Sequence, residues 1–131
     1  MSPRPDRLPR PTEAELAILT VLWRLGRATV REVHEDLAGD SKVGLTTVLK
    51  LMQIMVDKGL IERDTSVRPQ VFWAAQRQQQ TQKRMVRDLL DRAFQGSPGE
   101  LVLQALSLRR TSSDELARIK DLLRELEGRD S

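Results

Sequence analysis

The hydrophobic pattern of the chain changes its period at Gly59, and this change limits the fold more than any other feature of the sequence. Before Gly59, residues 44–58 carry apolar side chains at helical spacing. After it, residues 60–64 and 70–74 form two short runs typical of β-strands, separated by a turn that contains proline. Because a two-stranded hairpin is only marginally stable by itself, the sequence predicts that helices pack beneath it.

Two more predicted helices precede the helix of residues 44–58, and both begin with the same short signature. Thr12 and Glu15 fit a capping box, in which the hydroxyl and the carboxylate each accept a backbone N–H, and Thr29 and Glu32 repeat it. Ala28 starts a short run that favours pairing as a strand before the second helix. The apolar residues that follow the two boxes at helical spacing are Leu16, Leu19, Leu22 and Trp23, then Val30, Val33 and Leu37. Three helices followed by a hairpin is the order of elements in a winged helix-turn-helix domain.

The sequence after the hairpin predicts helices alone. An amphipathic helix includes residues 85–94 and is broken by the glycines and proline of residues 96–99. Ser112 and Glu115 offer a third capping box. Leucines and an isoleucine then recur with the 3-4-3 spacing of helices that pack closely together.

These elements predict a mainly α-helical chain with a small β-hairpin, divided into three parts. Residues 1–11 contain four prolines and three arginines and are expected to form a flexible N-terminal arm, with contact to DNA as the alternative. Residues 12–75 are expected to form the winged-helix domain. Residues 76–131 are expected to form a separate helical region.

The composition argues against a secreted, membrane or catalytic protein. No apolar run approaches the ~18 residues of a membrane helix, and the N-terminus lacks the apolar core of a secretory signal, so the cytoplasm is the expected compartment. The chain has no cysteine, and its one histidine, His34, is interpreted as a surface residue of the second helix. Without a nucleophile–base pair or a phosphate-binding glycine loop, no enzymatic activity, metal or cofactor is predicted.

The outer side of the third helix has the residue types of a helix that reads DNA. The net charge of +3 does not indicate nucleic-acid binding by itself, so the argument depends on which side chains share one face. The residues predicted for the core face are Val48, Leu51, Met52 and Met55. Hydroxyls near the helix start, followed by lysine and glutamine, suit the major groove, where glutamine pairs with adenine. The predicted DNA contacts are Thr46, Thr47, Lys50 and Gln53, with Lys42 before the helix and Arg68 in the hairpin. Arg63, also in the hairpin, is a further candidate to meet a phosphate, and the alternative for both hairpin arginines is a charge that only keeps the loop soluble.

Two apolar residues, Leu49 and Ile54, also lie outside the inward stripe of this helix. Leu49 is of a type that contacts the methyl group of thymine. One alternative is a solvated outer face, on which isolated apolar residues are common. The other is a winged helix that binds a protein partner through Leu49 and Ile54, without specific DNA binding.

Three segments of the chain together resemble the penicillinase-repressor (BlaI/MecI/CopY) family: EAELAILTVLWRLGRATVREVHEDL, TTVLKLMQIMVDKGLIERD and FQGSPGELVLQALS. The resemblance implies a homodimeric transcriptional repressor whose winged-helix domains read the two halves of a palindromic operator. It also implies that the helices of residues 76–131 form the dimer. The side chains expected to be buried between the two subunits are Leu101, Leu106, Leu116, Ile119 and Leu123. The alternative is that they pack only within their own subunit.

Members of this family differ in the signal to which they respond. In antibiotic-responsive members, a membrane sensor protease triggers cleavage of an Asn-Phe bond in the dimerisation region, and the resemblance places the matching bond at Gln104-Ala105. Copper-responsive members carry a C-terminal cysteine cluster, which this chain lacks. The partners that the resemblance implies are therefore operator DNA, a second copy of the chain and a membrane sensor protease system.

Overall fold

The computed structural model of the protein describes residues 10–38 and 43–130. The elements up to residue 74 are α1 (Glu13–Leu25), α2 (Val30–Leu37), α3 (Leu45–Lys58), β1 (Ile61–Asp64) and β2 (Val71–Ala74). This order confirms the predicted winged-helix arrangement of three helices and an antiparallel hairpin. Most of the predicted arm, residues 1–9, and the predicted DNA contact Lys42 lie outside the described residues.

Both capping boxes predicted before the third helix are present. Thr12 Oγ1 accepts the N–H of Glu15 at 3.2 Å, and Glu15 Oε1 accepts the N–H of Thr12 at 2.9 Å. Thr29 and Glu32 make the same two bonds, at 3.1 and 2.9 Å. Each box satisfies backbone donors that a helix N-terminus leaves without a partner, so it fixes the residue at which α1 or α2 begins.

Gly59 ends α3 in the left-handed backbone conformation, with φ 82° and ψ 13°. Residues with a Cβ atom rarely adopt this conformation, whereas glycine adopts it without strain. The N–H of Leu60 then bonds to the carbonyl oxygen of Met55 at 2.9 Å. The chain leaves the helix at Gly59 and enters β1 at Ile61, which explains the change of hydrophobic period in the sequence.

The three helices and the hairpin of this region share one hydrophobic core. Its buried apolar residues are Ile18, Leu19, Val21, Leu22, Ala28, Val33, Val48, Met52, Met55, Leu60, Ile61 and Phe72. The stripe predicted for α1 needs a correction, because Ile18 and Val21 are buried whereas Leu16 and Trp23 are only half-buried. Leu51, predicted for the core face of α3, is half-buried at the edge of the core.

The two strands place one aromatic residue on each side of the hairpin. Phe72 is buried in the core, while Trp73 lies on the other side and donates its Nε1–H to Glu62 at 2.9 Å. Arg27 lies over the ring of Trp73, 4.1 Å from its centroid. Ala28 exchanges backbone hydrogen bonds of 2.8 and 3.0 Å with Phe72. The short strand predicted before α2 is therefore limited to one bridge, which holds the start of α2 against β2.

The chain divides into two compact units, the first ending at Val86 and the second beginning at Arg87. The helices from residue 78 onward are α4 (Gln78–Ala93), α5 (Pro98–Leu108) and α6 (Ser113–Asp130). At the start of α6, Ser112 Oγ accepts the N–H of Glu115 at 3.1 Å, but the Glu115 carboxylate accepts the hydroxyl of Thr111 at 2.8 Å. The serine half of the predicted third capping box is thus present, while the carboxylate bonds to the neighbouring threonine.

Many large apolar side chains of α5 and α6 remain exposed in the single chain. They are Val102, Leu103, Leu106, Leu108, Leu116, Leu122, Leu123 and Leu126. Of the residues predicted for the dimer, Leu106, Leu116 and Leu123 are exposed, and Leu101 and Ile119 are half-buried. Within residues 10–38 and 43–130, no helix combines the length and the hydropathy needed to cross a membrane.

Candidate nucleic-acid interface

The side of α3 opposite the core carries most of the predicted DNA contacts. The core residues of this helix are fully buried, and their burial fixes how the helix is rotated about its axis. The predicted contacts on its other side, all of them exposed, are Thr46, Thr47, Lys50 and Gln53. Arg68, between the two strands, is exposed as well. These side chains are accessible to a partner, and their contact with DNA stays a prediction.

A cleft of about 460 Å³ lies between the beginning of α2, the outer side of α3 and the hairpin. We call it the α3–wing cleft. The lining residues that matter for its chemistry are Arg31, Leu45, Thr46, Leu49, Gln53 and Arg63. The cleft thus brings two predicted contacts, Thr46 and Gln53, together with two arginines, whereas Thr47, Lys50 and Arg68 do not line it.

Among the residues that the structure describes, the α3–wing cleft is lined by positive charge and by no carboxylate. Arg31 and Arg63 are cationic, and none of the lining residues is Asp or Glu. Neither arginine forms an ion pair with another residue that the structure describes. Their N–H donors are therefore available for phosphate oxygens, which arginine binds through two parallel hydrogen bonds. The local charge of the cleft therefore indicates a polyanionic partner, which the net charge of the whole chain does not.

Three other cations of the first unit have partners among neighbouring side chains. Lys58 Nζ donates to Glu15 Oε2 at 2.8 Å, Arg24 forms an ion pair with Asp36, and Arg27 lies over a tryptophan ring. None of these cations lines the α3–wing cleft. These three cations have partners inside the protein, whereas the two arginines of the cleft form no ion pair with a described residue.

His34 connects α2 to the beginning of α3. Its Nε2 atom lies 2.9 Å from the carbonyl oxygen of Val43. Because a carbonyl oxygen can only accept, the imidazole is the donor in this bond. Val43 directly precedes Gly44, the N-cap of α3. His34 is half-buried, so it differs from the surface residue that the sequence predicted, and its bond holds the beginning of α3 against α2.

Two residues of the cleft, Arg31 and Leu45, are absent from the contacts predicted from the sequence. Arg31 is the second residue of α2, where a positive charge opposes the helix macrodipole. Such a charge is a usable signal, because residues that break a local rule often serve a function. Leu45 offers no comparable signal, since its position in a cleft depends on how the hairpin packs beside α3.

A comparison with models of protein families matches residues 11–125 to the family described as penicillinase repressor. The matched range covers every element of the winged-helix region, and it includes α4, α5 and most of α6. No curated protein matches the chain. The family match agrees with the resemblance indicated by the three sequence segments.

Proposed function

The chain belongs to the penicillinase repressor family of DNA-binding transcription regulators, and we propose that it is a homodimeric, sequence-specific repressor that binds a palindromic operator. The observation that carries this proposal is the α3–wing cleft, where hydroxyl and amide groups of α3 lie beside two arginines, with no carboxylate among the described lining residues. Such a surface offers hydrogen bonds to base edges and cations to phosphates at the same time.

In this proposal α3 lies in the major groove and the hairpin follows the DNA backbone. Gln53 pairs with an adenine, and the hydroxyls of Thr46 and Thr47 bind base edges or phosphates. The exposure of these side chains supports the assignment. The cations proposed to bind phosphates are Arg31, Lys42, Lys50, Arg63 and Arg68.

The second unit supplies the proposed dimer contact. Leu106, Leu116 and Leu123 are exposed in the single chain, and Leu101 and Ile119, which lie in the same two helices, are half-buried. Burying these side chains against a second copy would remove apolar surface from water, which is the main driving force of association. A dimer also joins two copies of α3, so the second half-site is bound at a high effective concentration.

Cleavage in α5 is the proposed route by which repression is relieved, with a membrane sensor protease system as the partner that triggers it. Gln104 and Ala105 lie within α5, and both are exposed. A cut between them would detach the end of α5 and all of α6, with four of the five proposed dimer residues, from the DNA-binding unit. The gain from joining two half-site contacts would then be lost. Because the bond lies inside a helix, α5 has to open locally before a protease can act on it.

Selection from randomised duplex DNA by the purified protein, at near-physiological salt, tests the proposal. We expect a palindrome whose half-sites are centred about one helical turn, ~10 base pairs, apart. Sedimentation of the complex should give two chains for each duplex. If a folded dimer recovers no motif, sequence-specific repression is refuted, and a winged helix that binds a protein partner through Leu49 and Ile54 takes its place.

A further inference from the structure

Leu45 and Leu49 give the α3–wing cleft an apolar wall on its α3 side. They are 38% and 41% exposed, and both line the cleft. Because they are four residues apart in one helix, their side chains lie next to each other. Ile54 is about equally exposed, at 39%, but does not line the cleft. Single exposed leucines are common on proteins, whereas this pair faces a cleft that also holds polar and cationic groups.

The charge around this wall identifies nucleic acid as its occupant. Arg31 and Arg63 line the same cleft, and no carboxylate of residues 10–38 and 43–130 does, so the partner combines anionic groups with an apolar one. DNA offers both: phosphates along the backbone and, in the major groove, the 5-methyl group of thymine. The leucine side chain neither donates nor accepts a hydrogen bond, so the methyl group is the base feature that it can read directly.

We propose that Leu49, with Leu45 beside it, selects thymine in each half-site by contact with the 5-methyl group, while Arg31 and Arg63 bind the adjacent phosphates. This inference rests on the proposed function and adds the base that the α3–wing cleft selects. Cytosine in the same position carries a hydrogen at C5 instead of the methyl group, so Leu49 loses its apolar contact. Leucine leaves the 4-amino group of cytosine and the 4-carbonyl group of thymine equally without a partner. Leu49 therefore favours thymine through the methyl contact.

Replacing thymidine with deoxyuridine tests the contact, because the two differ in the groove only by the methyl group. The probe is the duplex of highest affinity that the protein recovers from randomised DNA, with each thymine of a half-site replaced in turn. We expect one such replacement to weaken binding by the full-length protein about fourfold. Replacing the symmetric thymine in the other half-site as well should weaken it on the order of tenfold in total.

Three variants show whether Leu49 makes the contact. Leu49→Ala should bind the thymine and deoxyuridine duplexes equally well. Ile54→Ala is the matched control, because it shortens an equally exposed apolar residue of α3 outside the cleft, and it should keep the full preference for thymine. Leu49→Gln keeps a side chain of similar length and should move the preference at that position from thymine toward adenine.

The methyl contact is refuted if the preference for thymine persists unchanged in Leu49→Ala. It is also refuted if the unmodified protein binds its selected duplex equally well after every replacement. In both cases sequence-specific binding stands and only this inference fails. If the full-length protein selects no duplex at all, the proposed function fails together with the inference. Should Leu49→Ala not fold, the replacements with unmodified protein and the Leu49→Gln variant give the answer by themselves.

Discussion

Lys58 Nζ lies 2.8 Å from Oε2 of Glu15, and this ion pair joins the last residue of α3 to the first turn of α1. Glu15 is only 1% exposed, and its other carboxylate oxygen accepts the N–H of Thr12. Burial raises the pKa of Glu15, but the hydrogen bonds from Lys58 and Thr12, together with the ammonium charge, outweigh this effect and hold the pKa below its ordinary value. One carboxylate therefore caps α1 and anchors the C-terminal end of α3.

Glu15→Ala should destabilise the first unit, because it removes the carboxylate half of the capping box of α1 and leaves Lys58 without its partner. The Lys58 side chain is 31% exposed and can regain water, so we expect a loss of about 2 kcal/mol in the free energy of unfolding rather than the full cost of a buried unpaired charge. Urea denaturation measures this difference. Glu13→Ala is the control, since Glu13 is exposed in the same turn and should cost less than about 1 kcal/mol. Equal losses in the two variants would show that the ion pair adds nothing beyond the charge at the helix start.

The same carboxylate should make the stability depend on pH. Because folding lowers the pKa of Glu15, the folded protein binds this proton less readily than the unfolded chain. The stabilisation is therefore complete above the ordinary pKa of 4.5 and is lost as the pH falls through the lowered value. We expect the difference in unfolding free energy between the unmodified protein and Glu15→Gln to shrink below pH 4.5. A difference that stays constant well below that pH would contradict the role of the ionised carboxylate.

Arg31→Ala should weaken binding to every DNA sequence by a similar factor. If Arg31 neutralises one phosphate, its loss should lower the slope of log affinity against log salt concentration by about one. Titrations of the selected duplex and an unrelated duplex at several salt concentrations measure both effects. Arg24→Ala is the control, because Arg24 pairs with Asp36 outside the α3–wing cleft and should change neither quantity. A loss confined to the selected duplex would make Arg31 a base contact instead.

Ile119→Asp should convert the dimer into monomers, because it places a charge in the proposed apolar contact between subunits. Analytical ultracentrifugation at low micromolar concentration measures the change. Ala117→Asp adds the same charge to the same helix at an exposed position outside the 3-4-3 stripe, so it should leave the dimer intact. An Ile119→Asp protein that remains dimeric would place the contact elsewhere.

Protein truncated after Gln104 should be monomeric and should lose affinity for the full palindrome. The loss should be on the order of a hundredfold, because two half-sites can no longer be bound as one event. The truncated protein should bind a duplex with a single half-site about as tightly as one DNA-binding domain of the full-length protein does. A truncated protein that is still dimeric and binds the palindrome as tightly would refute the proposed relief by cleavage in α5.

Features that depend on neighbouring residues could be predicted from the sequence. The capping boxes at Thr12 and Thr29 each require two side chains three positions apart, and the helix end at Gly59 requires one glycine. The inward side of α3 follows from its period. In each case the information lies within one or two helical turns, where distances are set by helix geometry.

The α3–wing cleft could not be predicted in this way, because Arg31 and Arg63 are far apart in the sequence. Arg63 pairs with Phe72 across the hairpin, and Phe72 is bonded to Ala28 just before α2. These backbone bonds bring the two arginines to one cleft, and no pattern within either segment specifies them. The 3-4-3 spacing of α6 has a similar limit, since it shows which side is apolar and leaves open what covers it.

The chain contains two tryptophans and no tyrosine, and both tryptophans belong to the first unit. Trp73 donates to Glu62, and Trp23 donates to the carbonyl oxygen of Gln76 at 2.9 Å. Intrinsic fluorescence therefore reports on the winged-helix unit and carries no tryptophan signal from α5 or α6. Far-ultraviolet circular dichroism, in contrast, sums over every helix. Recording both signals in one denaturation experiment separates the melting of the two units without a label or a mutation.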